Sequence, residues 1–201
     1  MLPSDKAINT DFIISCLNHV HIDTNKHREG DRAIDMVTFS HGGDIEELRA
    51  YLDSLGLSLG PTEERLIKEN SERLIMWRDN GVLVGHAIWH ASNTKQHPDG
   101  EPREPEDKQI LEEELNVEGD FIELHEIWLS DTHRGRGYGT HFFEYFEEMV
   151  KEKGFKSIVY YADHPAAMSI CFKRGYRYAF GVELDGITGE RARYYVLAKQ
   201  F

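Results

Sequence analysis

A glycine-rich turn that joins a predicted strand to a predicted helix constrains the fold of this chain more than any other segment. The turn reads Arg134-Gly135-Arg136-Gly137-Tyr138-Gly139-Thr140. Residues 121–129 before it are rich in strand-forming residues, and residues 138–153 after it place apolar side chains at helical spacing. Alternate glycines permit a left-handed backbone and leave room for a close ligand. The free N–H groups and the dipole at a helix start favour an anion, and two arginines add positive charge. We therefore expect the turn to bind the phosphate groups of a cofactor.

The remaining pattern predicts one mixed α/β (α+β) domain. Strands are expected at 35–39, 73–78, 82–90, 121–129, 156–162, 176–183 and 191–199, with helices at 44–54, after Pro61, at 138–153 and at 165–174, a short helical turn at 109–115 and an exposed, proline-rich loop at 93–108. The dipeptide Asn80-Gly81 is a strong hairpin signal. Because helices and strands do not alternate regularly, the order predicts a mixed sheet and not a parallel βαβ series.

Composition and charge exclude several classes of protein. With 201 residues, 40% of them hydrophobic, the chain can bury the core of one domain. A net charge of −13 argues against a general nucleic-acid binder and suits a cationic substrate. The alternative is that the negative charge only keeps the protein soluble. No apolar run approaches the roughly 20 residues that span a membrane. The first residues lack the features of a signal peptide, and there are only two cysteines. We expect a cytoplasmic protein without membrane or nucleic-acid partners.

Three kinds of phosphate site are distinguished by their spacing. A Walker A loop requires Lys-Ser or Lys-Thr after its second glycine, and this turn has neither. A Rossmann turn reads G-x-G-x-x-G directly after its strand, whereas this turn reads G-x-G-x-G after the five-residue spacer 130–134. The third kind, an acyl-coenzyme A site, fits both the spacer and the short remaining chain.

Two motifs resemble those of the GNAT superfamily of N-acetyltransferases. Residues 127–139, which read Ile-x-Leu and then Arg-x-x-Gly-x-Gly, are similar to its Gln/Arg-x-x-Gly-x-Gly/Ala motif, and residues 167–176 are similar to its second, more degenerate motif. The resemblance covers about residues 35–201. It implies a mixed, mostly antiparallel sheet of six to seven strands, flanked by helices and splayed after its fourth strand. Residues 1–34 would then be an N-terminal extension that packs on this domain.

The resemblance also implies an activity and its cofactor. A family member of this kind is an acetyl-CoA-dependent N-acetyltransferase that moves the acetyl group to a primary amine by direct transfer in a ternary complex. Main-chain atoms of Ile127 and Leu129 would hydrogen-bond the pantetheine arm, and residues 134–140 would bind the pyrophosphate. The implied cofactor-binding residues are Ile127, Trp128, Leu129, Arg134, Gly135, Arg136, Gly137, Tyr138, Gly139, Thr140, His164, Ala167 and Phe172.

This chain departs from the family pattern at two positions. The family's asparagine falls on His164, and its tyrosine, which in many members protonates the departing thiolate, falls on Cys171. A thiol is a poor substitute as an acid, because its pKa of about 8.5 is close to that of the leaving group. Either the thiolate takes its proton from water, or another tyrosine such as Tyr161 or Tyr176 supplies it.

Acylation requires a neutral amine, so a base has to accept a proton directly or through water. Strand alternation would place Glu123 and His125 on one face with Ile127 and Leu129, while Glu126 would face the other way. The resemblance matches Glu123 to the general base of histone-acetylating members and His125 to a histidine of arylalkylamine-acetylating members. We expect Glu123 and His125 to be the catalytic residues. The alternative is that each only pairs with a neighbour.

A second hypothesis is a non-catalytic acyl-CoA-binding or sensing module on the same fold, which Cys171 at the tyrosine position favours. No motif encodes the acceptor, and a small-molecule amine and a peptide amine both fit. No metal site is expected, because His19-x-His21 has no further ligand close in sequence. A homodimer is the remaining partner that we consider.

Overall fold

The computed structural model describes residues 37–162, 164–184 and 191–201. Its elements are β1 (Val37–His41), α1 (Ile45–Ser54), α2 (Pro61–Glu69), β2 (Leu74–Asp79), β3 (Val82–Asn93), α3 (Pro105–Gln109), β4 (Asp120–Leu129), α4 (Tyr138–Glu152), β5 (Ser157–Ala162), α5 (Pro165–Lys173), β6 (Arg177–Leu184) and β7 (Arg191–Gln200). Short helical turns lie at Ser71–Arg73, Ile110–Glu114 and Asp131–His133. The predicted extension 1–34, and Asp35 and Met36 of the predicted first strand, lie outside the described residues.

The described strands form a seven-stranded sheet in the order β1-β2-β3-β4-β5-β7-β6. β4 and β5 run parallel, and the other neighbouring pairs of the described strands are antiparallel. The prediction of a mixed, mostly antiparallel sheet flanked by helices is therefore confirmed. A Rossmann fold is excluded, because it requires a mostly parallel sheet.

Local sequence signals account for the ends of these elements. The side chain of Asp44 accepts a backbone hydrogen bond at the start of α1, and Pro61 and Pro165 occupy the first turns of α2 and α5. Asn80 and Gly81 have φ of 50° and 83° and turn the chain between β2 and β3. The predicted helix starts and the predicted hairpin are thus set by neighbouring residues.

Helices cover both faces of the sheet. On one face α4 and α5 pack over a core in which Phe142 stacks on Trp77 and on Phe146, with ring centroids 4.5 Å and 5.4 Å apart. On the opposite face α1 and α2 pack through Leu48 and Leu66. We call these the α4/α5 face and the α1/α2 face. No helix in the described part of the chain is long and apolar enough to cross a membrane.

The predicted exposed loop at 93–108 is only partly exposed. Gln96 and Pro102 form a β-bridge, and α3 begins at Pro105, earlier than the helical turn predicted at 109–115. Arg103 and Asp107 are buried and form an ion pair. The prediction is wrong for these two residues because a charged composition does not reveal that two opposite charges neutralise each other inside the fold.

A bulge in β4 shifts the alternation of its side chains. Ile88 of β3 lies opposite Glu126, and the next residue, Trp89, lies opposite Leu124. His125 is therefore an extra residue in β4 with no partner in β3. Beyond such a bulge every side chain points to the face opposite to the one that strict alternation predicts.

The bulge separates residues that were expected on one face. Ile127 and Leu129 pack against the core of the α4/α5 face. Glu123 and Glu126 lie on the α1/α2 face, and His125 contacts Glu63 of α2 there. The prediction that Glu123 and His125 share a face with Ile127 and Leu129 is wrong, and so is the prediction that Glu126 faces away from Glu123.

β4 and β5 part at the level of the bulge. Their pairing runs from Ile122 with Ile158 to Leu124 with Tyr160. Beyond Leu124 the rest of β4 has no strand partner on this side within the described residues. The expected splay after the fourth strand is present, and we call this opening the fork.

Candidate active site

A cleft of about 210 Å³ lies at the fork, between the end of β4 and the starts of α4 and α5. Its lining residues are Trp77, Ile127, Trp128, Leu129, Arg134, Gly139, Phe143, His164, Ala166, Ala167 and Ile170. More than half of the residues predicted to bind the cofactor are among them: Ile127, Trp128, Leu129, Arg134, Gly139, His164 and Ala167. Sequence reasoning missed the apolar residues Trp77, Phe143, Ala166 and Ile170, which read as ordinary core residues until the strands are seen to part.

The glycines of the turn serve two purposes. Gly135 and Gly137 have φ of +76° and +86°, a conformation that other residues rarely adopt. Gly137 directly precedes α4, and no side chain caps that helix among the described residues, so its first N–H groups are available to a ligand. At Gly139 a Cβ would lie 2.8 Å from Cδ1 of Ile170, so this glycine lets α4 approach α5 closely.

Each arginine of the turn lies near a carboxylate. Nε of Arg134 donates a hydrogen bond to the Leu129 carbonyl (3.2 Å), and its Nη1 lies 3.0 Å from Asp131. Nη1 of Arg136 lies 3.6 Å from Asp79. Since both side chains are about half exposed, their charges can also reach an anion bound at the start of α4.

Asp79, the last residue of β2, holds the glycine turn in place through its carboxylate. The Tyr138 hydroxyl donates a hydrogen bond to its Oδ2 (2.8 Å), and Nε2 of His133 lies 3.7 Å from the same oxygen. With Arg136, three side chains from the spacer, the turn and α4 thus converge on one buried carboxylate. The sequence carries no signal for this anchor, because Asp79 reads as a hairpin residue.

The other predicted cofactor-binding residues lie outside the lining of the cleft. Gly135, Arg136, Gly137, Tyr138 and Thr140 belong to the turn and to the first turn of α4, beside the cleft. The Phe172 ring instead packs against the Tyr178 ring at 5.4 Å and against the core, so the structure does not bring it to the cleft.

His164, at the position of the family's asparagine, caps α5. Its Nδ1 accepts a hydrogen bond from the Ala166 N–H (3.2 Å) at the start of α5. An N-cap side chain needs only an acceptor atom at this position, and a ring nitrogen of histidine can supply one.

Glu123 lies among three cationic or titratable neighbours on the α1/α2 face. Its Oε1 is 3.5 Å from Nε2 of His90 and 3.8 Å from Nδ1 of His125, and its Oε2 is 3.5 Å from Nη2 of Arg103. Burial raises the pKa of Glu123, but His125, His90 and Arg103 together outweigh burial and hold the pKa well below its ordinary value. Glu123 is therefore a carboxylate across the working pH range.

His125 lies between two carboxylates. Its Nε2 is 2.7 Å from Oε1 of Glu63 in α2, and its Nδ1 faces Glu123. Glu123 and, to a smaller extent, Glu63 raise the pKa of His125 above its ordinary value, although burial opposes them. The structure thus brings the two predicted catalytic residues together and adds Glu63, which sequence reasoning did not select.

Arg103 ties the strands together at the fork. Its guanidinium donates hydrogen bonds to Ser92 of β3 (2.7 Å), to Tyr161 of β5 (3.1 Å) and to Asp107 of α3. Through Nη2 it also faces Glu123 of β4. One buried side chain therefore contacts every strand that borders the fork and fixes the position of the Glu123 carboxylate.

None of the three groups considered as a proton donor lines the cleft. Cys171 is fully buried, and burial raises the pKa of its thiol. The Tyr161 hydroxyl donates to Asp107 (2.8 Å), and the Tyr176 hydroxyl is buried without a hydrogen-bond partner among the described residues. Burial raises the pKa of both phenols, so each holds its proton more tightly than usual.

Comparison with solved structures finds the same fold in several N-acetyltransferases. The Drosophila melanogaster polyamine N-acetyltransferase, an enzyme that catalyses the formation of N-acetylagmatine, aligns with a TM-score of 0.61 at 11% identity over 83% of this chain and 100% of its own. A mosquito arylalkylamine N-acetyltransferase-like protein aligns with a TM-score of 0.60 at 14% identity, over 83% and 100%. The NatC complex bound to Gag peptide and CoA aligns with a TM-score of 0.55 at 13% identity, over 82% and 98%. At these identities the likeness is one of fold.

Sequence comparison identifies the family. No curated protein matches the chain significantly. The sequence model of the acetyltransferase (GNAT) family matches residues 32–176, which include β4, the fork, the glycine turn and α5. Because this match spans more than two thirds of the chain, the chain belongs to the acetyltransferase (GNAT) family.

Proposed function

We propose that this chain, an acyltransferase by its family, moves an acetyl group from acetyl-CoA to a primary amine while both are bound. The observation that carries the proposal is the fork: β4 and β5 part where the uncapped start of α4 meets a cleft, and the Glu123–His125 pair lies beside it on β4. Ile127, which lines the cleft, is only two residues from His125.

The residues around the cleft fit coenzyme A. The positive-φ glycines, the uncapped helix start and two arginines suit the pyrophosphate, so residues 134–140 would hold it. The unpaired edge of β4 offers the main-chain groups of Ile127 and Leu129 to the pantetheine arm, as an added strand would. Bound there, the cofactor supplies a thioester, and an N–H group of the same edge would polarise its carbonyl.

The Glu123–His125 pair would take the proton from the amine. Glu123 stays ionised and, with Glu63, orients the His125 imidazole. A neutral imidazole accepts the proton through water, and the two carboxylates stabilise the imidazolium that forms. The nitrogen–carbon bond to the acetyl group forms as the thioester carbon–sulfur bond breaks, so the proton lost by the amine rests on His125.

The departing thiolate would be protonated by water. Cys171, Tyr161 and Tyr176 are held away from the cleft and have raised pKa values, which disfavours each of them as the acid. A thiolate with a pKa of about 8.5 is stable enough to leave near neutral pH without a protein acid. The buried Cys171 also argues against an acyl-enzyme, since its sulfur is not exposed.

A screen for thiol release tests this function. The protein is incubated with acetyl-CoA and a panel of diamines, monoamines, arylalkylamines and peptides, while isothermal titration measures acetyl-CoA binding separately. We expect binding together with amine-dependent thiol release. Binding without release on any amine would instead support a non-catalytic acyl-CoA-binding module, and absence of binding would contradict both.

A further inference from the structure

We propose that the acceptor is a dibasic amine, such as a linear diamine, whose reacting nitrogen lies at the Glu123–His125 pair and whose second cation lies at Glu126. The inference rests on the proposed function, because it assigns a substrate class to the same site. Three features of the α1/α2 face support it: unmatched negative charge, a fixed carboxylate beside aromatic rings, and the spacing along β4.

The amine has to approach from the α1/α2 face. The cleft for the cofactor is lined from the α4/α5 side by Phe143, Gly139 and Ile170, whereas the base lies on the other face of β4. An amine that meets a thioester at the fork therefore comes from the side of α1 and α2, where Glu63 and Glu126 are partly exposed.

Glutamates on this face differ in whether a permanent cation neutralises them. Four are matched with arginines: Glu47 with Arg78 (2.6 Å), Glu69 with Arg73 (2.7 Å), and Glu46 and Glu64, which share Arg49. Glu63 and Glu126 instead contact only His125 and His86, and neither has a lysine or arginine within ion-pair distance in the described part of the chain. Among the described residues Arg103 pairs with Asp107 and Glu123, so it does not neutralise Glu63 or Glu126.

A contact with His86 holds the Glu126 carboxylate in a position where it can bind a cation. Nε2 of the fully buried His86 lies 3.0 Å from its Oε1, while about a third of the Glu126 side chain stays exposed. Burial raises the pKa of Glu126, but His86 and His125 outweigh it, so the side chain remains a carboxylate. A fixed, charged and accessible carboxylate binds an ammonium or guanidinium without first losing side-chain entropy.

Two aromatic rings lie near this carboxylate. Trp128, which follows Glu126 on the same face of β4, lies 6.1 Å from the His86 ring and 5.7 Å from the Tyr51 ring of α1. Both aromatic side chains are half-buried. Indole and phenol faces attract cations, most strongly where water is partly excluded.

The spacing along β4 sets the length of the acceptor. Glu123 and Glu126 lie opposite His90 and Ile88, two positions apart on β3. At the rise of an extended strand this is about 7 Å. An extended chain of four or five carbons between two nitrogens spans roughly this distance, whereas a monoamine leaves Glu126 without a partner.

Matched amines test the assignment. The substrates 1,4-diaminobutane and 1-aminopentane have similar length and differ in replacing a terminal ammonium by a methyl group. We expect kcat/KM to favour the diamine by at least about tenfold, a factor typical of one charge-assisted contact. In Glu126→Gln this preference should fall to near one, and Glu126→Asp, which keeps the charge, should recover part of it. Glu148→Gln on the exposed side of α4 removes an equal charge and should leave the preference intact.

The outcomes separate the acceptor from the function. Equal kcat/KM for the two amines, or an equal loss for both in Glu126→Gln, would overturn the dibasic acceptor while leaving the acetyltransferase reaction in place. A higher kcat/KM for an arylalkylamine or a peptide would overturn it as well. Bound acetyl-CoA with no thiol release from any amine would overturn the function itself, and the acceptor with it.

Discussion

At the scale of single residues, His125 is the group whose protonation should control the rate. Glu123 and Glu63 stabilise its imidazolium and raise its pKa, whereas a base has to be neutral to accept a proton. The rate should therefore be low below the pKa of His125 and should increase as the pH rises through it. Glu123 does not produce this transition, since its pKa lies far below that range.

Removal of Glu63 should move this transition. In Glu63→Gln the imidazolium loses one of its two carboxylates, so the pKa of His125 falls and the acid limb of kcat shifts by about one unit to lower pH. The measurement is kcat against pH with both substrates saturating. Glu64→Gln, one residue along α2 and directed at Arg49, serves as the control. Identical acid limbs in the wild type and Glu63→Gln, or equal shifts in both variants, would remove His125 as the base.

At the scale of elements, the fork depends on two features that act at the same level of the sheet. The bulge at His125 turns the end of β4 so that Ile127 and Leu129 face the cleft while Glu123 keeps its place among the charges of the α1/α2 face. Arg103 then joins β3, α3, β4 and β5 around the point where the strands part.

Loss of Arg103 should destabilise the fold substantially. Arg103→Met leaves the buried carboxylates of Asp107 and Glu123 without their guanidinium, which costs about 3 kcal/mol of unfolding free energy. Urea denaturation measures the difference. Arg65→Met provides the control, because its exposed pair with Glu69 should change stability by no more than about 0.5 kcal/mol. Equal losses in the two variants would mean that Arg103 does not hold the fork.

The elements were more predictable from the sequence than the fork. Asp44, Pro61, Pro165 and Asn80-Gly81 act on their immediate neighbours, so the helix starts and the hairpin could be located from local residues. The bulge could not, because it arises from pairing with β3 and His125 has no distinctive sequence context. The charged composition around Arg103 predicts an exposed residue for the same reason, since its partners lie on four separate elements.

The candidate site, likewise, was only partly predictable from the sequence. The anion-binding character of the glycine turn was predictable, because positive φ and an uncapped helix start follow from a short motif. The sequence also indicates Glu123 and His125. Strict alternation predicts them on the same face of β4 as the cleft, whereas they lie on the α1/α2 face. Glu63 and Glu126 were missed as site residues, since only the packing of α2 and the shifted alternation of β4 bring them next to His125.

At the scale of the described domain, the two faces of the sheet have different roles in the proposed reaction. The α4/α5 face carries the glycine turn and the apolar cleft, and the α1/α2 face carries the base and the unmatched carboxylates. The fork joins them where an acetyl group would pass from one to the other. The net charge of −13 suits the proposed acceptor, because a cation is attracted over several ångströms before it binds.

Direct transfer between two bound substrates is the central claim, and rapid mixing tests it most directly. The protein, at a concentration comparable to that of acetyl-CoA, is mixed with acetyl-CoA alone or with acetyl-CoA and 1,4-diaminobutane, and free thiol is followed in time. We predict no thiol release without the amine and at least one equivalent per protein, together with acetylated amine, when it is present. A stoichiometric burst of thiol from acetyl-CoA alone would reveal an acyl-enzyme and contradict the account.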